Sequence, residues 1–376
     1  MNQLANRFLA LDLFRGITIC FMIIVNTPGS GAEAFAPLNH ASWHGFTPTD
    51  LVFPSFLFAV GNAMSFSMLK YKAIGDGAVL GKVFKRSILI FLIGYLMYWF
   101  PFFHLENGRV VLNSIGETRI MGVLQRIAVC YLLASLIIHF LSRQMVYVIS
   151  ALLLIGYWII LLVFGDPADP LSMTGNAGQY IDQYFLGDKH LYHGEGIPFD
   201  PEGLLSTLPA IVNVIIGYYA GHFVQRIGIS YETIARLLLS GALLILLALS
   251  WDMVFPINKK LWTSSFVLLS TGLDLVILAG LIYVSDIKNY NKWNWTRFFL
   301  VFGRNALFIY VLSEILLVPL YMISIGDMSL YRWINHAFFQ VIAAGSIGSL
   351  LFAISYMLFC WLVALILDRK KIYIRV

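Results

Sequence analysis

The chain has 376 residues, of which 59% are hydrophobic and 12% charged, with a mean hydropathy of +0.80. A water-soluble domain has no interior large enough for that much apolar surface, so the composition excludes one and points to an integral membrane protein. The formal net charge of +5 is explained by membrane orientation, without a nucleic-acid partner.

Apolar runs of about 20 residues separated by polar connections predict an all-α polytopic helical bundle and not a barrel of short alternating strands. Ten spans are expected, at about 9–26, 49–69, 86–102, 119–141, 145–164, 204–223, 235–253, 261–284, 297–318 and 340–367. Starting with the N-terminus inside, 17 of the 25 Lys and Arg fall on the cytoplasmic side, Arg7, Lys72, Lys292 and Arg375 among them. Six fall on the other side, and Arg126 and Arg304 lie within spans. The bias places both termini in the cytoplasm and the loop after the first span outside. Ala32-Glu33-Ala34 resembles a signal-peptide cleavage site. However, Asp12 and Arg15 crowd the apolar run and the site lies far beyond its end, so the first span reads as retained.

The first span ends at Asn26, and a loop without Lys or Arg carries His40, Trp43 and His44 into Thr47-Pro48-Thr49-Asp50. Thr47 suits an N-cap and Pro48 the first helical position. Asp50 then sits at the third position, where a carboxylate meets the positive helix end. On residue type alone His40 is either a hydrogen-bonded structural group or a base titrating near neutrality. Helical spacing could put His40 and His44 on one face, but no third ligand of suitable spacing accompanies them, so no metal site is expected.

The loop from Lys70 to Arg86 is basic and reads as a topology determinant. Cys130, Cys20 and Cys360 all fall inside apolar spans and support neither a disulfide framework nor metal ligation. The only sizeable polar insertion, about 165–203, is acidic, and reads either as a solvated cap or as a lid attracting a cationic substrate. It closes on Phe199-Asp200-Pro201-Glu202-Gly203, with Asp200 expected to cap a helix.

Ionisable groups inside spans are costly and are functional candidates by default. Arg126 beside Gln125 is a fixed cation suited to a phosphate or, equally, to an internal carboxylate. Asp274 and Glu314 are buried carboxylates open to ion pairs or a proton path, and Arg304-Asn305 reads as a snorkelling anchor or a second phosphate contact.

Leu11-Asp12-Leu13-Phe14-Arg15-Gly16, Asn26 and His40-Ala41-Ser42-Trp43-His44-Gly45 resemble the transmembrane N-acetyltransferases related to heparan-α-glucosaminide N-acetyltransferase. The resemblance continues through Asp50-Leu51-Val52-Phe53-Pro54, Gly122-Val123-Leu124-Gln125-Arg126 and Asp200-Pro201-Glu202-Gly203. Asn258-Lys259-Lys260-Leu261-Trp262-Thr263-Ser264 and Gly303-Arg304-Asn305-Ala306 complete it, so it spans nearly the whole chain as one acyltransferase domain.

The resemblance implies transfer of an acetyl group from acetyl-CoA to the amine of glucosamine or a related amino sugar. Its active histidine falls on His40 and its active-site asparagine on Asn26. By its own chemistry Asp50 is suited to fix the imidazole tautomer, with its helix-start role as the rival reading. Gln125, Arg126, Arg304 and Asn305 are the expected acetyl-CoA contacts. Trp43, Asp200, Glu202, Asn258, Lys260 and Trp262 are the expected acceptor contacts. The lysosomal members carry a luminal domain and an additional preceding span. The expectation here is a bacterial-type relative without them, in the cell membrane, with a homodimer open to it. His40 as a nucleophile forming acetyl-imidazole is the alternative mechanism. An ion-coupled transporter or flippase is the alternative function, although no inverted repeat or matched pair of broken helices is legible.

Overall fold

The computed structural model describes residues 9–29, 34–71, 75–106, 109–288, 290 and 294–374. Arg7, Lys72, Lys292 and Arg375 of the charge count, and Ala32 and Glu33 of the cleavage-like site, lie outside them.

The described residues form an all-α polytopic membrane protein. Helices α1 (Leu9–Asn26), α2 (Val52–Tyr71) and α3 (Asp76–Trp99) are followed by a hairpin of β1 (Phe103–Glu106) and β2 (Arg109–Leu112). Next come α4 (Val123–Phe140), α5 (Arg143–Phe164), α6 (Ala177–Phe185), α7 (Thr207–Ile227), α8 (Tyr231–Asp252) and α9 (Ser264–Leu281), which runs on as a π-turn to Ile287. The described chain closes with α10 (Asn294–Arg304), α11 (Ala306–Met322), a small hairpin of β3 (Ser324–Ile325) and β4 (Met328–Ser329), short α12 (Leu330–Ile334) and α13 (Gln340–Ile342), and long α14 (Ser346–Arg369).

Among the described residues eight helices are long and apolar enough to cross a bilayer, or nine if α10 and α11 count as one broken span. Helix α3 has the length as well, but its first half carries Lys82, Lys85 and Arg86. The expected ninth span, 297–318, is corrected: it is two helices bent by 82°. Asn305 stands buried at the bend with both amide atoms engaged by the C-terminal tail, Nδ2 donating to Ile372 O (3.0 Å) and Oδ1 accepting from Ile374 N (2.9 Å). The C-terminal tail thus takes polar groups that a continuous helix would have left unmatched.

Glycines bring the helices together where no side chain would fit. A Cβ at Gly61 would stand 1.9 Å from Val214 O, and one at Gly217 2.1 Å from Phe58 O, so α2 and α7 meet backbone to backbone. Gly16 faces Phe299 and Gly303 faces Asp12 in the same way, joining α1 to α10, while Gly241 and Gly272 join α8 to α9. In lipid, small residues of this kind drive helix association because apolar burial gives no net gain. The core between them contains Leu57, Leu124, Trp262, Phe266 and Phe302, each fully buried.

Candidate active site

The loop between α1 and α2 folds around one carboxylate. Asp50 is fully buried in a 3₁₀ turn (Pro48–Leu51) that precedes α2. Its Oδ2 accepts from Thr47 N (2.9 Å), Thr47 Oγ1 (3.0 Å) and Ala41 N (3.2 Å). Its Oδ1 lies 2.6 Å from His40 Nδ1. The capping geometry expected of Thr47 and Asp50 is therefore present, as a 3₁₀ turn, and it leaves one oxygen for the histidine. A buried carboxylate can only accept, so Nδ1 carries the proton and Nε2 is left as the basic nitrogen. The imidazole is 41% exposed and its carboxylate partner 1%. This is an anchored ring with an open working edge.

A second segment meets that ring from far along the chain. Lys259 places Nζ 3.2 Å from both His40 nitrogens. The turn carrying it is built by the fully buried Asn258, whose Oδ1 accepts from Leu261 N (2.8 Å) and whose N–H donates to Thr263 Oγ1 (3.0 Å). Gly45 N donates to Ile257 O (2.8 Å), and Asn258 Nδ2 lies 3.4 Å from His44 Nδ1. The histidine loop and the lysine turn are thus laced together on both sides of the ring.

The acidic insertion closes over this face. The Trp43 indole N–H donates to Leu171 O (3.0 Å), and its ring packs against Phe199 at 5.8 Å. Arg119 forks onto Asp200 (2.9 and 2.6 Å) and reaches Glu202 (2.6 Å), with its guanidinium over Tyr98 and Tyr192. Lys260 pairs with Glu195 at 2.5 Å. Asp182 accepts from Leu204 N (2.8 Å), and burial pushes its carboxyl up to about 7. The insertion's acids therefore point largely inward, toward cations and backbone amides, and Asp166, Asp169 and Asp188 are the ones left at the surface. The expected helix cap at Asp200 is corrected. Asp200 instead accepts from Glu202 N (2.9 Å) in a turn that ends before α7, whose N-cap is Ser206.

Glu202 links the two clusters. Burial would raise its carboxyl, yet Arg119, Arg126 and Lys259 outweigh burial and hold it below the ordinary range. Burial depresses the Lys259 ammonium, against Glu202 and Asp50, which favour its charge.

Of the expected acetyl-CoA contacts, Gln125 and Arg126 begin α4 on the same face as His40. Arg126 is fully buried, donates through Nη2 to Gly203 O (3.1 Å) and Ser206 Oγ, and lies over the Trp262 ring at 4.8 Å. Its Nε and Nη1, and both amide atoms of Gln125, have no hydrogen-bond partner among the described residues. No carboxylate lies within ion-pair distance of Arg126 there, so these buried donors and acceptors stand unmatched at the start of α4. Arg304 and Asn305 sit elsewhere. Arg304 pairs with Asp368 (2.7 Å), beside Gly303, whose carbonyl accepts from Arg15. That is the start of α1, whereas Asn26 at its far end donates to Glu314 Oε1 (3.0 Å). The two expected halves of the acetyl-CoA site therefore lie at opposite ends of the bundle.

Among the expected acceptor contacts, Trp43 packs beside His44 (6.2 Å), whereas Asn258 and Trp262 are fully buried, Trp262 donating to Asn213 Oδ1 (3.0 Å). Asp274 accepts from Ser55 Oγ (2.5 Å), and its Oδ2 has no partner among the described residues. Sequence reasoning passed over Lys259 and Arg119. Arg119 had one signal, a cation on the cation-poor side. Lys259 had none to separate it from its neighbour Lys260.

Fold and site define a polytopic all-α membrane protein with its polar chemistry gathered in loops at one face of the bundle. The family model described as "Heparan-alpha-glucosaminide N-acetyltransferase, catalytic" matches residues 7–233, and the chain belongs to that family. The mouse (Mus musculus) heparan-alpha-glucosaminide N-acetyltransferase is 30% identical over 368 aligned residues, which cover 83% of this chain and 54% of that protein. The human (Homo sapiens) protein of the same name is 29% identical over 374, covering 84% and 54%. The chain thus spans about half the length of the curated relatives it matches. His40, Asp50, Arg119, Arg126, Asp200 and Glu202 lie inside the matched region, and Lys259 beyond it.

Proposed function

We propose that this chain is a membrane-embedded acyltransferase that moves an acetyl group from acetyl-CoA to the amine of glucosamine or a related amino sugar. The observation that carries the reading is the His40–Asp50 pair, a half-exposed imidazole on a buried carboxylate, within the region matched by the family's catalytic model. Acetyl-CoA supplies an activated thioester. An amine attacks a thioester only when neutral, and His40 Nε2 is placed to take its proton while Asp50 keeps Nδ1 protonated and the ring in register. General-base help of this kind is worth about 10²–10⁴-fold.

Asn26 uses one amide N–H on Glu314 and has a second to offer to a developing oxyanion, a contribution of roughly 3 kcal/mol in comparable sites. Gln125 and Arg126, with their unmet polar atoms, are the residues to hold the donor's polar chain. Trp43, with Asp200 and Glu202 through Arg119 and Lys260 through Glu195, shapes the acceptor side, while the buried Asn258 holds the lysine turn and Trp262 lies under Arg126. The charge distribution supports placing this face outside the cell membrane, with 165–203 as an outer insertion into a single transmembrane domain.

The test is His40→Ala. Acetyl transfer to glucosamine falls by at least about 10²-fold at neutral pH, while acetyl-CoA still stabilises the variant against heat. His44→Ala, outside the pair, retains most of the rate. Wild-type transfer rates from His40→Ala would overturn the reading.

A further inference from the structure

Taking His40 as the base of the proposed reaction, we infer that Lys259 is itself an acetyl acceptor: when donor is present and acceptor is not, its Nζ is acetylated at the His40 site. The inference rests on the acetyltransferase reading and adds a modification site to it.

The geometry is specific. With Nδ1 committed to Asp50, Nε2 is the nitrogen left to receive a proton, and Lys259 Nζ lies 3.2 Å from it. That is hydrogen-bonding reach, the requirement for general-base catalysis on an attacking amine. A lysine ε-amine is also the same functional group as the amine of an amino sugar, a primary amine on a saturated carbon. Lys259 Nζ is equally 3.2 Å from Nδ1, so it stands against the ring beside the base, where it competes with an incoming acceptor amine for Nε2.

Lys260 is the natural comparison. It is one residue away, but its Nζ is held at 2.5 Å by Glu195, which turns it away from the imidazole and occupies it in an ion pair. Lys259 has no carboxylate within ion-pair distance among the described residues, and its half-buried position favours the neutral amine. Glu202, Asp50 and Glu195 are the carboxylates that act on it from a greater distance, and the neighbouring Lys260 opposes them.

The step balances without any other reactant. The Nζ lone pair attacks the thioester carbonyl, a C–N bond forms and the C–S bond breaks. The amine proton passes to His40 Nε2 and from there to the departing thiolate. The product is a neutral amide beside the base, and an amide does not return its acetyl group to a sugar. The modification consequently removes the enzyme from turnover unless acceptor occupies the seat.

The experiment incubates the full chain in detergent with trideuterioacetyl-CoA, with and without glucosamine, and maps deuterioacetyl groups by tandem mass spectrometry of the peptide containing Lys259 and Lys260. The same samples report glucosamine acetylation. The expected result is labelling of Lys259 at least tenfold above Lys260, suppressed by glucosamine and reduced about a hundredfold in His40→Ala, as befits loss of a general base. His40→Gln gives the same reading if the alanine variant does not fold. Equal labelling of the two lysines, or labelling unchanged by the His40 substitutions, would mean ordinary chemical acetylation and would overturn the inference. A preparation that acetylates glucosamine but leaves Lys259 unlabelled would overturn it too, while leaving the acetyltransferase reading intact. A preparation that does neither overturns both.

Discussion

At the scale of single residues, the site depends on how its charges are compensated. Arg119 is the pivot of the outer cluster, since Asp200 has no side-chain exposure and Glu202 only 11%. Removing the guanidinium leaves two enclosed carboxylates without their cation, a loss of about 3–5 kcal/mol when a buried pair is broken from one side. Arg119→Ala should accordingly lower the unfolding temperature in detergent far more than Lys189→Ala. Lys189 pairs with Glu117 at 3.4 Å, with both side chains largely exposed, where such a pair contributes about 0–1 kcal/mol. Equal losses in the two variants would show that the cluster is not the keystone its geometry makes it. Arg126 follows a different rule. It lies over the Trp262 ring and bonds to Gly203 and Ser206, so its charge is accommodated by dipoles and an aromatic face.

At the scale of elements, two features decide the shape of the bundle. The first is the backbone contact of α2 with α7, which holds the helix behind Asp50 in place. Gly61→Ala drives a methyl into Val214 O, and overpacking of this kind costs about 1–3 kcal/mol. Gly77 has nothing within 4 Å of its would-be Cβ, so Gly77→Ala is the matched control on α3. Thermal denaturation should separate the two clearly, and similar curves would mean that α2 and α7 can part without cost. The second feature is the break between α10 and α11. An unbroken apolar run reads as one span, because hydropathy registers side chains and not the tail strand that competes for Asn305. Among the described residues one helix pair is broken in this way, where an ion-coupled transporter of the inverted-repeat kind is expected to carry a matched pair.

For the whole molecule, orientation is the property that function needs most, because acceptor and donor would reach the protein from different sides. Positive charge is gathered at the end holding the start of α1. A cysteine at exposed Ser42, in the His40 loop, should therefore react with an impermeant maleimide on intact cells, and one at exposed Gly77 should not. The native Cys20, Cys130 and Cys360 are buried, so background labelling is low. Reversed labelling would invert the topology and with it the proposed direction of transfer.

The sequence by itself determined the membrane class, the approximate limits of most membrane-length helices, though not the start of α3 at Asp76 inside the expected Lys70–Arg86 loop, and the loop in which His40 and Asp50 meet. These follow from run length, charge and neighbours close in the chain, which are one-dimensional properties. Tertiary structure decided the rest. It set Lys259 against His40 across 219 positions and matched Arg119 to Asp200 and Glu202. It also placed Gln125–Arg126 and Arg304–Asn305 at opposite ends of the bundle, although all four are polar groups of similar promise inside apolar spans. A linear sequence does not record which buried groups share a depth and a face. That is fixed only when glycine-faced helices pack and leave each charge the few partners within its reach.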